Sequence, residues 1–341
     1  MAEKRKITLK DIARELKLSP STVSRALNGY ASLSEETIRQ VKEYAEKHSY
    51  VPNALAVNFR KNRTSIIGLI VPEIVHHFFS TTISGALETA KKHGYHVLVA
   101  QSGDILSGEV FACRTMLGLG VDGLLISISN ETVEGDHIQD FLEEGKPVVQ
   151  FDKITDQLVT PKVVVDDFNG AYEAVNHLIS EGYRKIAHLS GRMEVKNAHE
   201  RFLGYKKAVE DHGLDFREDW VKNCSAISEQ EGYDFTKQLM ESANPPDAIF
   251  CITDLVALGA MNYLKSARYE VPGQVGLMGF SNWMLSEYTS PNLSSVDQHG
   301  FEMGQKATEL LIELIKNHDL GDNETVVMKT DLMIRQSSLG K

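Results

Sequence analysis

Chemistry in this chain would have to come from a few short motifs, and most of them fail on context. Gly118-Leu119-Gly120-Val121-Asp122-Gly123 fits the G-x-G-x-x-G pattern, yet it closes a helical stretch and precedes an apolar run. A dinucleotide fingerprint does the opposite, following a strand and opening a helix. Gly279-Phe280-Ser281-Asn282-Trp283 lacks the final glycine of a nucleophile elbow, so Ser281 is not expected to attack anything. His76 and His77 are adjacent and would point to opposite sides of an extended segment, while His93 and His96 straddle Gly94. Cys113, Cys224 and Cys251 match neither a disulfide framework nor the C-x-x-C spacing of a zinc site, and are expected as buried small apolar groups. No catalytic residue, cofactor or metal ligand is expected.

Recognition by hydrogen bonding is a different matter. Residues 1–63 hold 13 Lys/Arg and 7 Asp/Glu, a balance of +6, whereas the remaining chain holds 23 against 40, a balance of −17. An acidic body is repelled by phosphate and a short basic arm is not, so the asymmetry suggests a nucleic-acid reader attached to a module with another partner. Three helix starts fall inside the arm. Thr8 with Asp11 forms a capping-box variant ahead of Ile12, Ala13 and Leu16, predicting a helix over about residues 9–16. Ser19-Pro20 opens a second helix with Val23, Ala26 and Leu27 as its apolar side, and Asn28-Gly29 stops it. Ser34, with Glu35 and Glu36 in the first turn, opens a third whose stripe is Ile38, Val41 and Tyr44/Ala45. The connection between the first two is short enough to cross them steeply and let the second enter a major groove. Its other face, Pro20, Ser21, Thr22, Ser24, Arg25 and Asn28, carries no carboxylate. Arg25 can fork onto guanine and Ser21 can reach a base edge, while Thr22, Ser24 and Asn28 suit phosphate or the thymine methyl. The alternative is a solvated helix in a small bundle.

The elements behind this arm must position something else. From Thr64 onward, SIIGLIVP, HVLVAQS, DGLLISIS and PVVQFD read as strands separated by helical stretches that end at Gly94, Gly120 and Gly145. The pattern restarts after Pro161 with VVVDD, KIAHLSG, DAIFCITD and GLMGFSN. Two doubly wound parallel-sheet α/β lobes are expected, following a small all-α headpiece. Such lobes bind ligands at the carboxyl ends of their strands. Those ends are Pro72 to Phe79, Gln101-Ser102, Ser127 to Asn130, Asp152, Asp166-Asp167, Ser190 to Arg192, Thr253-Asp254 and Ser281 to Trp283. Hydroxyls, carboxylates and amides beside Phe78, Phe79 and Trp283 suit a polyol, with acceptors for paired hydroxyls and ring faces for the C–H surface, so a sugar is the natural ligand.

The runs TLKDIARELKLSPSTVSRALNG and TIRQVKEYAEKHSYVPNALA closely resemble the headpiece of the LacI/GalR family of bacterial repressors, and the likeness continues in register to the C-terminus. The resemblance implies a helix-turn-helix joined by a hinge helix to a periplasmic-binding-protein-like core, acting as a dimer on a pseudo-palindromic operator under the control of a small effector. It implies a headpiece at 1–50, a hinge helix and linker at 51–63 and a core at 64–341. Within the core, one lobe spans about 64–162 and 294–323, and the other about 163–293 and 324–341, with SSVDQ, the helix 301–317 and the strands from Thr325 crossing between them. The DNA-binding set is then Thr8, Ser19, Pro20, Ser21, Thr22, Ser24, Arg25 and Asn28 in the headpiece, followed by Asn53, Ala56, Phe59 and Arg60 in the hinge. Phe59 stands where the family inserts a leucine into the minor groove, and an aromatic wedge can also unstack a base step. Docking of Leu55 and Phe59 on the core is the alternative. The expected effector set is Phe78, Phe79, Ser127, Asp152, Arg201, Thr253, Asp254, Ser281, Trp283 and Gln298. One departure stands out: the acidic residue that the family usually carries after Gly-Phe is Ser281 here, followed by Asn282. The ligand is therefore either less hydroxylated or negatively charged so as to face an unopposed Arg201.

A length of 341 residues allows two or three domains. No run approaches a membrane span, and the basic, then amphipathic start lacks the apolar core of a secretory signal, so a cytoplasmic protein is expected. A homodimer is favoured, because no leucine-heptad tail follows the last expected strand. A transport-type sugar-binding protein would account for the core but not for the basic arm. An α/β enzyme would need a nucleophile, an acid/base pair or a cofactor loop at a strand end, and the motifs above supply none.

Overall fold

The computed structural model describes residues 7–27, 33–48, 50 and 63–340. The chain divides into two compact units, Met1–Thr64 and Ser65–Lys341.

The first unit holds α1 (Leu9–Glu15), α2 (Pro20–Leu27) and α3 (Glu35–Lys47). Their starts follow from local hydrogen bonding. Thr8 accepts from the Asp11 N–H while Asp11 Oδ2 takes the Thr8 N–H at 3.0 Å and its hydroxyl at 2.6 Å, a reciprocal capping box. Ser19 accepts from the Thr22 N–H at 3.0 Å, and Ser34 from the Thr37 N–H at 3.3 Å. The core beneath is small: Ile12, Ala13, Val23, Ala26, Val41 and Ala45 are buried.

The second unit has two six-stranded sheets. The first is ordered β11-β5-β4-β3-β1-β2, and comprises β1 (Ile66–Val71), β2 (His96–Gln101), β3 (Leu124–Ile126), β4 (Val148–Phe151), β5 (Lys162–Val165) and β11 (Thr325–Met328), all parallel. Helices α4 (His77–Lys92) and α11 (Gly300–Asn317) share one apolar layer with this sheet, and α5 (Leu106–Gly118) and α6 (Asp136–Glu143) share another. Glycine lets α4 and α11 touch: a Cβ on Gly85 would lie 2.0 Å from the Phe301 carbonyl oxygen, and one on Gly304 2.0 Å from that of Thr82. Gly94, Gly120 and Gly145 follow their helices at φ of 78, 72 and 71°, as the expected stops require.

The second sheet is ordered β12-β10-β9-β8-β6-β7, with β6 (Ile186–Ser190), β7 (Val221–Asn223), β8 (Ala248–Cys251), β9 (Gly276–Phe280), β10 (Ser294–Asp297) and β12 (Asp331–Met333); β12 alone runs antiparallel to its neighbour. Helices α7 (Asp167–Ser180) and α8 (Lys196–Asp211) pack in one apolar layer, and α9 (Glu229–Met240) and α10 (Asp254–Ser266) in the other. Cys113, Cys224 and Cys251 are buried free thiols, and burial holds all three well above the usual thiol range.

The sheets correct the lobe assignment in three places. VVVDD does not open the second lobe: β5 pairs with β4 and β11 in the first sheet, and the chain crosses only afterwards, ahead of α7. SSVDQ belongs to the second sheet, where β10 pairs with β9, so the crossing falls between β10 and α11. The terminal segment is shared, since β11 completes the first sheet and β12 the second. The reason is that each crossing lies between elements and leaves no mark in a strand's own composition. The crossings are tied together: the Asp166 N–H donates to the Met328 carbonyl at 2.8 Å, and His299 Nε2 lies 2.9 Å from Asp331 Oδ2. No described helix is long and apolar enough to cross a membrane.

Candidate functional site

The headpiece presents one polar helix face. On α2, Val23 and Ala26 are buried, Pro20, Ser21 and Arg25 are exposed, and Thr22 and Ser24 are half-buried. The Ser19 hydroxyl lies 2.7 Å from Ser21 Oγ and 2.8 Å from Thr22 Oγ1, so these three hydroxyls form one cluster at the helix start. No carboxylate sits in the first turn of α2, and its last turn carries Arg25. Thr8 is exposed, but its hydroxyl serves the cap of α1. Asn28, Asn53, Ala56, Phe59 and Arg60 lie outside the described residues, as does the hinge segment 51–62.

In the core, the carboxyl ends of both sheets open onto a cavity of about 700 Å³. Of the expected effector residues, Phe78, Phe79, Asp152, Arg201, Thr253, Asp254, Ser281, Trp283 and Gln298 line it. Ser127 does not. It is fully buried behind the wall, where its hydroxyl approaches Asp152 Oδ2 at 3.4 Å.

Several of these side chains are committed to the protein itself. Asp254, at the start of α10, accepts from the Trp283 N–H at 2.6 Å and from the hydroxyls of Ser286 and Ser295 at 3.0 and 2.6 Å. Burial pushes its carboxyl up, and these donors pull it back down. Its role is to hold the loop that carries Trp283. Ser281 donates to Gln298 Oε1 at 2.9 Å, linking β9 to the second crossing. Thr253 caps α10. Arg201 is 3% exposed: its Nε meets Asp167 Oδ1 at 2.7 Å, its Nη1 donates to the Ile252 carbonyl at 2.8 Å, and its plane covers the Phe280 ring at 3.7 Å. Arg201 is thus opposed by a carboxylate, contrary to the unopposed arginine that one expected ligand class needed. Desolvation raises Asp167 to about 6 against the pull of Arg201, with Asp152 adding like-charge repulsion. Nearby His188, stacked on Phe250, is pushed down to about 4 by burial.

Asp152 is held more loosely. It is buried, and among the described residues receives only the Asn197 amide at 3.3 Å and the Ser127 hydroxyl at 3.4 Å. Burial raises its carboxyl, tempered by Arg201 and Lys153. Backbone strain concentrates here. Asp104, Asp152, Ile227 and Ser281 line the cavity at φ of 58, 57, 48 and 116°, and Asn282 follows at 46°.

Asp104, Lys153, Asn197 and Ile227 are lining residues that the sequence did not single out. Lys153 could have been found as the neighbour of Asp152, and Asp104 from its Gly-Asp turn after β2. Ile227 follows β7, a three-residue edge strand too short to show a period. Among the described residues no group of His, Cys, Asp and Glu side chains could hold a metal ion.

Comparison with known proteins covers both units. The profile of the bacterial regulatory proteins, lacI family, matches residues 8–53. That of the periplasmic binding proteins and sugar binding domain of the LacI family matches residues 64–336. Catabolite control protein A of Priestia megaterium is 31% identical over 333 residues, 97% of this chain and 99% of that protein. The HTH-type transcriptional repressor CytR of Escherichia coli (strain K12) is 30% identical over 334 residues, 97% and 96% of the two chains. Among solved structures, the transcriptional regulator CelR in complex with cellobiose superimposes with a TM-score of 0.74 at 25% identity, covering 97% and 99% of the chains. The lac repressor dimer bound to operator and the anti-inducer ONPF gives a TM-score of 0.87 at 22% identity, covering 98% and 100%, a likeness of fold.

Proposed function

The chain belongs to the LacI family of bacterial regulatory proteins, and from that premise we propose that it is a repressor working as a homodimer on a pseudo-palindromic operator. It acts in the cytoplasm and is switched by a sugar or sugar derivative in the interlobe cleft. The observation that carries this reading is the pairing, in one chain, of a carboxylate-free polar helix face with a roomy cavity at the carboxyl ends of two sheets. Residues 1–50 form the DNA-binding headpiece, 51–63 the hinge and 64–341 the effector-binding and dimerisation core. Arg25 and Ser21 read base edges. Thr22, Ser24 and Asn28 meet phosphate or thymine; Asn53, Ala56 and Phe59 continue the DNA contact through the hinge, with Phe59 as the minor-groove wedge, and Arg60 meets phosphate. In the core, Phe78, Phe79 and Trp283 cover the apolar face of the ligand, while Asp152, Arg201 and Gln298 meet its polar edge. Exposed Phe111 and Tyr288, at 74% and 77%, supply apolar surface that a second copy can cover.

The switch is a shift of population between lobe arrangements. The ligand can move it only by its difference in affinity for the two states, typically about 1 to 3 kcal/mol. Selection of duplexes from a random pool by the purified protein, followed by titration over a salt series, tests the DNA side. A palindrome should be enriched, with affinity falling steeply as salt rises. Salt-insensitive binding, or a selected pool without two-fold symmetry, would remove the DNA-reading assignment. The effector side is tested by adding each sugar to the operator complex and measuring the shift in affinity.

A further inference from the structure

Every cation on the cleft wall already faces a carboxylate. Lys153 Nζ lies 3.0 and 3.1 Å from the two oxygens of Asp104 and 2.6 Å from Asn130 Oδ1. Arg201 is fixed by Asp167 and the Ile252 carbonyl, and Arg192 Nε lies 3.8 Å from Glu194. Carboxylates remain over. Asp152 and Asp254 both line the cavity, both are buried, and neither has a cation within 4 Å among the described residues. Asp254 has its three protein donors; Asp152 has only two long ones. A carboxylate offers about four lone-pair sites, so Asp152 is under-satisfied and aimed where a ligand hydroxyl or amide can complete it.

Taking the cleft as the effector site proposed above, we infer that it selects an uncharged, hydroxyl-bearing ligand and rejects the phosphorylated or carboxylated form of the same molecule. The opposing force comes from helix dipoles. The first turns of α4 and α8 open on the cavity without side-chain caps, each worth about half a positive charge. Two half charges, with Arg201 and Lys153 acting on Asp152 from beyond contact distance while each is closed on a carboxylate of its own, do not outweigh two buried carboxylates that no cation touches, and the free N–H groups serve hydroxyl oxygens as well as anions. Burying a phosphate against Asp152 brings like charges together in a low-dielectric site, which opposes binding of the anion. The anion of a matched pair should therefore bind about 100-fold more weakly than its neutral partner.

The test uses the full-length protein and calorimetric titration with matched pairs at neutral pH. Suitable pairs are glucose with glucose 6-phosphate and glucuronate, ribose with ribose 5-phosphate, and cytidine and adenosine with their monophosphates. At least one neutral compound should bind, its anion should be about 100-fold weaker, and Asp152→Asn should narrow that gap at least tenfold. An anion that binds as tightly as its neutral partner overturns the selectivity and leaves the effector site intact. A gap unchanged in Asp152→Asn also overturns it, because charge would then not be its cause. Silence from every pair removes the sugar-effector assignment itself, and the selectivity with it.

Discussion

Two arginines mark the difference between the headpiece and the core. Arg25 stands exposed at the end of α2, with no ion pair among the described residues, whereas Arg201 is 3% exposed and bound to Asp167, the Ile252 carbonyl and the face of Phe280. A cation in water costs nothing to leave unpaired and can release counterions when it meets phosphate. A cation in the cleft must be matched before any ligand arrives. The headpiece thus offers charge to its partner, while the core uses charge to hold its own walls and offers shape, ring faces and an under-satisfied carboxylate.

The contrast breaks most violently at Arg201. Arg201→Ala leaves Asp167 buried without its paired cation, which should cost about 3 to 5 kcal/mol. Urea unfolding followed by tryptophan fluorescence would read it as a large fall in the core midpoint. A midpoint that stays where it was would mean that Arg201 is not the counterion of this corner.

Acid titration sharpens the same corner, because two groups pull in opposite directions. Asp167 titrates at about 6 in the fold and near 3.8 when unfolded, so the folded state takes up its proton first, and this group favours folding increasingly as pH falls from 6 towards 4. His188 titrates at about 4 in the fold and near 6.5 when unfolded, so its contribution is complete above 6.5 and is lost as pH falls towards 4. Each window is worth roughly 3 kcal/mol, and the two offset. His188→Phe removes one of them. The stability difference between wild type and this variant should then shift by roughly 3 kcal/mol in favour of the variant between pH 6.5 and 4. A difference that stays constant with pH would show that His188 is not held neutral by burial.

The headpiece arm of the comparison predicts a smaller effect with a different signature. Arg25→Ala should weaken operator binding by about 1 to 3 kcal/mol and leave the core unfolding midpoint unchanged. Loss of affinity that is the same for operator and random duplex would recast Arg25 as a phosphate contact rather than a base reader.

What was legible in the sequence follows range. Helix starts are set by side chains three residues from the groups they satisfy, so Thr8, Ser19 and Ser34 announced α1, α2 and α3 without tertiary information. The βα alternation and the strand ends that line the cleft were visible for the same reason. Lobe membership was not, because a run such as VVVDD packs equally well in either sheet until β4 and β11 are placed beside it. The state of the cleft charges was hidden further still. Asp104 and Lys153 are 49 residues apart, Asp167 and Arg201 34, and only folding reveals that each pair has closed. Hence the sequence left open an Arg201 unopposed by any carboxylate, and nothing in it showed that Arg201 and Asp254, which both line the cavity, are also bonded to the protein's own frame.

The smallest expected effect separates the two uses of polar groups within the headpiece. Thr8 was expected at DNA, yet its hydroxyl and N–H are both taken by Asp11, and Thr8 Oγ1 in turn accepts the Asp11 N–H. Thr8→Ala removes a cap and should destabilise the headpiece by about 1 kcal/mol, read as lost helical circular dichroism on warming. Thr8→Ser keeps the capping hydroxyl and should restore it. Operator affinity should follow the same order, since the first helix supports α2 through the shared core of Ile12, Ala13, Val23 and Ala26. If Thr8→Ala weakened operator binding with no loss of helix stability, the hydroxyl would be a direct contact. If both fall together and Thr8→Ser rescues both, Thr8 acts on DNA only through the helix that it starts.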